Sequence, residues 1–174
     1  MDLLDLFDHG SAWAASKIPA AGELNRSTPC PEWDVRALLN HMLHGQQLFA
    51  GAARGESAAP PPGRPPDIVG DDPVKQYEAA RQATLAAYSE PGVLEKTGPS
   101  LGIAFVEQLV HGWDLATATG QDATMPDDLA QTAFTMINGR MTDEQRGTFF
   151  RSAVPVPDNA SAQEKLLGYG GRQP

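Results

Sequence analysis

Leu101-Gly-Ile-Ala-Phe-Val-Glu-Gln-Leu-Val-His-Gly-Trp-Asp-Leu-Ala-Thr-Ala118 is the stretch on which the fold and the chemistry turn. Glu107 and His111 stand four residues apart, the spacing that sets two side chains on one side of a helix. The row through them reads Ile103, Glu107, His111, Leu115, so apolar neighbours bracket a carboxylate and an imidazole and a helical bundle is expected to turn the row inward. Burying two such groups without partners costs on the order of 1–3 kcal/mol each, and more for a charge. A divalent metal removes that cost. A Glu-to-His pair at this spacing also steadies an ordinary exposed helix, and only the apolar row argues for the inward alternative.

Working outward, Asp114 follows His111 by three residues and can reach the imidazole from outside a metal's own ligand set. Its alternative is a solvated carboxylate near a helix end, a position the helix dipole disfavours. Upstream, Asp34 offers an N-cap to a second helix running from Val35 to about Ala53. Placed on a helical wheel, Val35, Leu38, Leu39, Met42 and Phe49 share a face, with His41 on its edge and His44 roughly opposite, toward water. His41 reads either as a core-edge histidine bonded to a neighbour or as a third ligand. One His joined to a Glu/His pair makes a three-ligand set with an open position, the pattern of catalytic zinc sites.

The remaining segments are also helical in period. Residues 2–18 carry Leu3, Leu6, Phe7, Trp13 and Ala14 at helical spacing. Ser27-Thr-Pro-Cys-Pro-Glu-Trp33 is too proline-rich to join a helix, and residues 55–71, with Pro60, Pro61, Pro62, Pro65 and Pro66, read as a surface loop. Asp72 and Pro73 open a third helix with Val74, Tyr77, Leu85 and Tyr88 on its buried side, closing near Pro91-Gly92. The helix carrying Glu107 and His111 ends at Gly120. A short helix around 126–138, a turn from Thr142 to Arg146 and an amphipathic piece after Ser161 complete the chain. No two neighbouring segments alternate at period two, so the expected class is all-α.

Length and composition narrow the partners. The 174 residues suit a single domain over 1–174. A net charge of −9 with 13 scattered basic residues argues against nucleic acid. No run approaches the roughly 18 apolar residues of a membrane span, and the acidic Met-Asp-Leu-Leu-Asp start lacks a signal peptide's basic head, so a cytoplasmic location is expected. Cys30 is the lone cysteine and excludes an internal disulfide. With no His, Lys or Arg adjacent in sequence, it reads as a small buried hydrophobe. Trp33 and Trp113 read as packing residues, and His9, beside Trp13, as a remote extra ligand. The closing Gly168-Tyr-Gly-Gly-Arg172 follows no strand and matches no phosphate-binding loop.

Thr28-Pro-Cys-Pro-Glu-Trp-Asp-Val35 with Leu38-Leu-Asn-His41, then Glu107-Gln-Leu-Val-His-Gly-Trp-Asp-Leu-Ala116 with Thr119-Gly-Gln121, resembles a known family. It is the DinB-like metal-binding domain of mycothiol-dependent maleylpyruvate isomerases, and more closely its actinobacterial stand-alone subgroup. The likeness spans nearly the whole chain, and Val154 to Ser161 and Gly171-Arg172 with Pro174 also resemble the subgroup's C-terminus. The resemblance implies an up-down-down-up four-helix bundle, here with a short C-terminal helical extension, and one divalent metal, usually zinc or nickel. It implies as ligands one His of the second helix and a Glu-x-x-x-His pair of a later helix, which fall on His41, Glu107 and His111. Two departures limit what carries over. The isomerase's additional C-terminal domain has no counterpart, so full isomerase activity is not expected, and the connection from Glu95 to Gly102 is shorter than the subgroup's hairpin-like segment. The resulting expectation is a divalent-metal-binding, small-thiol-dependent transferase or isomerase-like enzyme taking mycothiol and a small substrate. The alternatives are a metal-dependent hydrolase activating water, or a non-catalytic metal-binding module able to form a homodimer.

Overall fold

A computed structural model describes residues 1–56, 63–140 and 151–174. Among them are six helices: α1 (Leu3–Ala15), α2 (Val35–Ala53), α3 (Pro73–Tyr88), α4 (Val93–Thr119), α5 (Asp127–Ile137) and α6 (Ala162–Tyr169). The described residues contain no strand, and Ser27 and Asp34 form an isolated antiparallel bridge. The class is all-α, as the periodicity requires. The turn expected from Thr142 to Arg146 and the prolines at 60–62 lie outside the described residues.

Helix starts follow their caps. Asp34 accepts the Ala37 N–H at 2.8 Å, and Asp72 accepts that of Lys75 at 3.0 Å with Pro73 in the first turn. Asp2 and Ser161 each form a reciprocal capping box. Such a cap stabilises a helix by about 1 kcal/mol. Gly120, at φ 72°, takes the left-handed conformation that closes α4.

The chain divides into two compact units, 1–123 and 124–174. In the first, α1 packs on α4 and α3, and α2 packs on the same two helices. Leu38, Leu39, Met42, Leu101, Phe105, Leu109 and Leu115 are fully enclosed in it. A polar network crosses this core: Gln46 Nε2 donates to Tyr77 Oη, Tyr77 donates to Gln108 Oε1, and Thr84 Oγ1 donates to the Gln46 carbonyl. Burial pushes the Tyr77 hydroxyl's pKa upward, which keeps it the protonated donor this arrangement needs. In the second unit α5 packs on α6 around Leu129, Ala133, Leu166 and Leu167.

Three expectations need correction. The segment Glu95–Gly102 is not a connection, because α4 begins at Val93 and runs through Pro99. An interior proline costs a helix about 3 kcal/mol, but here α1 lies alongside, with Leu3 Cδ2 3.8 Å from where a Gly98 Cβ would sit. Tertiary contact overrides the local breaker. Ile103 is 54% exposed, so the row through Glu107 and His111 is not apolar-inward along its whole length. Each four-residue step turns about 40° round the helix, so Ile103 faces solvent while Leu115 is enclosed. Val74 is also exposed, at the open end of the row whose buried members are Tyr77, Arg81, Thr84 and Tyr88.

A clasp ties residues 67–69, just after Pro66, to α2. Buried Asn40 donates to Asp67 Oδ1 at 2.8 Å and accepts the Ile68 and Val69 N–H groups at 2.7 Å, while Arg36 pairs with Asp67. Hydrogen bonds from Arg36 and then Asn40 hold the Asp67 carboxyl below its ordinary value of 3.8. A carboxylate lowered on folding contributes stability that is present above its ordinary value and lost as pH falls through the lowered one. Thermal melts should therefore hold steady from neutrality to about pH 4 and fall below it, and Asp67→Asn should flatten part of that fall. An identical acid profile in Asp67→Asn would assign the fall to other carboxylates.

Candidate metal centre

From Leu101 to Ala116, α4 is buried on every side except at Ile103, Glu107 and His111. On the facing stretch of α2, Val35 to Gln46, only Arg36, His41 and His44 are not fully buried. The two open rows meet at the seam between the helices. The His41 and His111 rings stand edge to face with centroids 4.6 Å apart. Glu107 reaches the same seam one turn along, its Oε2 3.8 Å from where a Cβ on Gly45 would lie. A Cβ there would make an ordinary van der Waals contact with this carboxylate. His44 is partly buried and stands about 60° round α2 from His41.

Asp114 is wholly enclosed, and its Oδ2 lies 3.0 Å from His111 Nδ1. A carboxylate on Nδ1 fixes that nitrogen as the protonated one and leaves Nε2 as the ligand atom. His111 is itself largely covered, with 12% of its side chain exposed. His9 is exposed on α1.

The loop before α2 supplies two further residues that the sequence reading assigned elsewhere. Thr28 organises it: its hydroxyl donates to the Cys30 carbonyl at 3.0 Å and the Trp33 carbonyl at 2.8 Å, and accepts the Cys30 N–H. Val35 N–H to Arg26 O and Arg36 N–H to Leu24 O pin the loop to the start of α2. Trp33 is thereby laid 4.6 Å from the His41 ring and 6.0 Å from that of His111, as a cover on both imidazoles and not simply a packing residue. Trp113, in contrast, is core. Cys30 is only partly buried, and its Sγ is 3.5 Å from Asp114 Oδ2. Cys30, His111 and Asp114 bring one ligand atom each within 4.8 Å of one another, a grouping that could hold a metal ion. The absence of a neighbouring histidine held in sequence but fails in space, because α4 brings His111 to the cysteine from 81 residues away, the difference between positions 111 and 30.

No helix of the described residues is long and apolar enough to cross a membrane. Two proteins of Mycobacterium tuberculosis, Uncharacterized protein MT0763 of strain CDC 1551 / Oshkosh and Uncharacterized protein Rv0738 of strain ATCC 25618 / H37Rv, are each 28% identical over 164 residues, 87% of this chain and 86% of theirs. No solved structure matches. Residues 9–116 match the family described as Mycothiol maleylpyruvate isomerase N-terminal domain, a span that contains Cys30, Trp33, His41, Glu107, His111 and Asp114. With the match covering more than half of its length, the chain belongs to that family, and its bundle is of the DinB-like kind.

Proposed function

We propose that His41, Glu107 and His111 hold one divalent ion, zinc or nickel, in a small-thiol-dependent transferase of the cytoplasm. The observation that carries the reading is the single open row of α4, which puts Glu107 and His111 beside His41 while buried Asp114 engages His111 Nδ1. Two imidazoles and a carboxylate fit such a borderline cation and leave a position for an incoming ligand. The burial of Asp114 points the same way, because an ionised carboxylate there would be costly without nearby positive charge. When bound, the ion would lower the pKa of a thiol ligand and make the thiolate available near neutral pH.

The chain's own residues do the rest. Asp114 keeps the His111 ring in one tautomer and orientation. Trp33 covers the imidazoles and limits water on that side. Glu107 offsets part of the cation's charge from the seam at Gly45. Mycothiol as the thiol is supported by the family to which the chain belongs.

Elemental analysis of protein purified without a histidine tag should give about one divalent ion per chain. Protein that is metal-free as isolated and takes up neither zinc nor nickel would refute the metal site. In cobalt-substituted protein, mycothiol or a simple analogue should produce a sulfur-to-metal charge-transfer band and release a proton near neutral pH, since the ligand is a thiolate. No spectral change at millimolar thiol, with cobalt fully loaded, would remove the thiol from the proposal.

A further inference from the structure

We propose that Cys30 is a positioning residue of this centre: its thiol donates to Asp114 and so holds the carboxylate that orients His111. The inference rests on His111 serving as a ligand. Its basis is a chain of contacts between two distant segments, with Asp114 Oδ2 at its middle. That oxygen lies 3.0 Å from His111 Nδ1 and 3.5 Å from Cys30 Sγ, so two donors converge on one acceptor. Both separations are hydrogen-bond lengths, the longer one befitting sulfur, so each donor can direct its proton at the carboxylate. That argues for Cys30 acting through Asp114 and against its seating the ion directly.

Two features make the thiol matter although it is a weak donor. Asp114 is 0% exposed, so its carboxylate depends on protein donors and not on bulk water. The sulfur is also held in place, because Thr28 grips the Cys30 carbonyl and N–H and the loop is pinned to α2. Serine keeps a donor at that place and alanine does not. Groups bonded to a ligating histidine typically govern metal affinity by 10–100-fold, and Cys30, one bond further out, should act at the lower end.

The test compares full-length wild type, Cys30→Ser and Cys30→Ala by zinc competition against a chromophoric chelator. Imidazole nitrogen NMR of the metal-free proteins and thermal melts accompany it. Cys30→Ala should bind zinc about tenfold more weakly and show His111 divided between tautomers, and Cys30→Ser should stay within about twofold of wild type with one tautomer. Wild-type affinity and a single tautomer in Cys30→Ala would overturn the proposal. A sulfur-to-cobalt band in wild type without added thiol, absent from Cys30→Ala, would overturn it as well, by making the sulfur a ligand. Should wild type bind no metal, the ligand assignment fails, and the tautomer populations of the metal-free proteins still decide whether Cys30 holds Asp114 and His111 in place.

Discussion

Glu107→Ala and His111→Ala should each weaken zinc or nickel binding by more than about a hundredfold, because each removes a ligand and not merely a group bonded to one. His41→Ala should fall in the same class. A hundredfold loss corresponds to about 2.7 kcal/mol. The effect should appear twice, in the affinity itself and in the melting temperature. An ion at 100 times its Kd adds about 2.7 kcal/mol to the folded state, which in a chain of this size raises the melting temperature by roughly 5–10 °C. That rise should vanish in the three variants. His44→Ala provides the contrast: His44 lies about 60° round α2 from His41 and should leave affinity within about twofold. Titrations in which His44→Ala loses the ion while His41→Ala retains it would exchange the two histidines' assignments.

The second large effect should come from a residue with no chemistry. Gly112 sits next to His111 on the side where α1 presses against α4. A Cβ there would lie 2.6 Å from Trp13 Cζ3 and 3.1 Å from the Ala14 backbone Cα. Rotating the indole relieves the first clash but not the second, since a helix backbone cannot step aside alone. Overpacking costs typically 1–3 kcal/mol, and the helix propensity gained on replacing glycine by valine offsets only a few tenths. Gly112→Val should therefore lower the melting temperature by roughly 4–10 °C in metal-free protein. Ile103→Ala, on the exposed part of the same helix, should stay within about 0.5 kcal/mol of wild type. Equal melting of Gly112→Val and wild type would mean that α1 can move away from α4 at little cost.

Most of the bundle was legible because its signals are local. A carboxylate before each of α2 and α3, Pro73 in a first turn and Gly120 after a last one each act within a few residues. The segment from Glu95 to Gly102 misled for the same reason. Its Gly98-Pro99 pair is a local breaker, and what overrides it is α1, more than eighty residues earlier. The site divides along the same line. Glu107, His111 and Asp114 share one helix and can be related by angle alone. Cys30 and Trp33 sit in a loop whose path depends on a threonine hydroxyl and two backbone contacts, and no periodicity reports where such a loop comes to rest. His44 lies opposite the apolar face of α2 yet is partly buried, because α2 is covered over most of its circumference, which a single apolar face does not reveal.

The clasp of Asn40 and Arg36 on Asp67–Val69 also bears on how freely sequences of this kind can diverge. It fastens the chain on the residue next to His41, downstream of the prolines, while the upstream end is fixed by α2 itself. Arg64 adds a second fastening, pairing with the Asp34 cap of α2 at 2.8 Å. Changes of sequence upstream of Arg64 therefore meet two fastenings before they reach the seam, so relatives can vary there while the arrangement of imidazoles and carboxylates stays still.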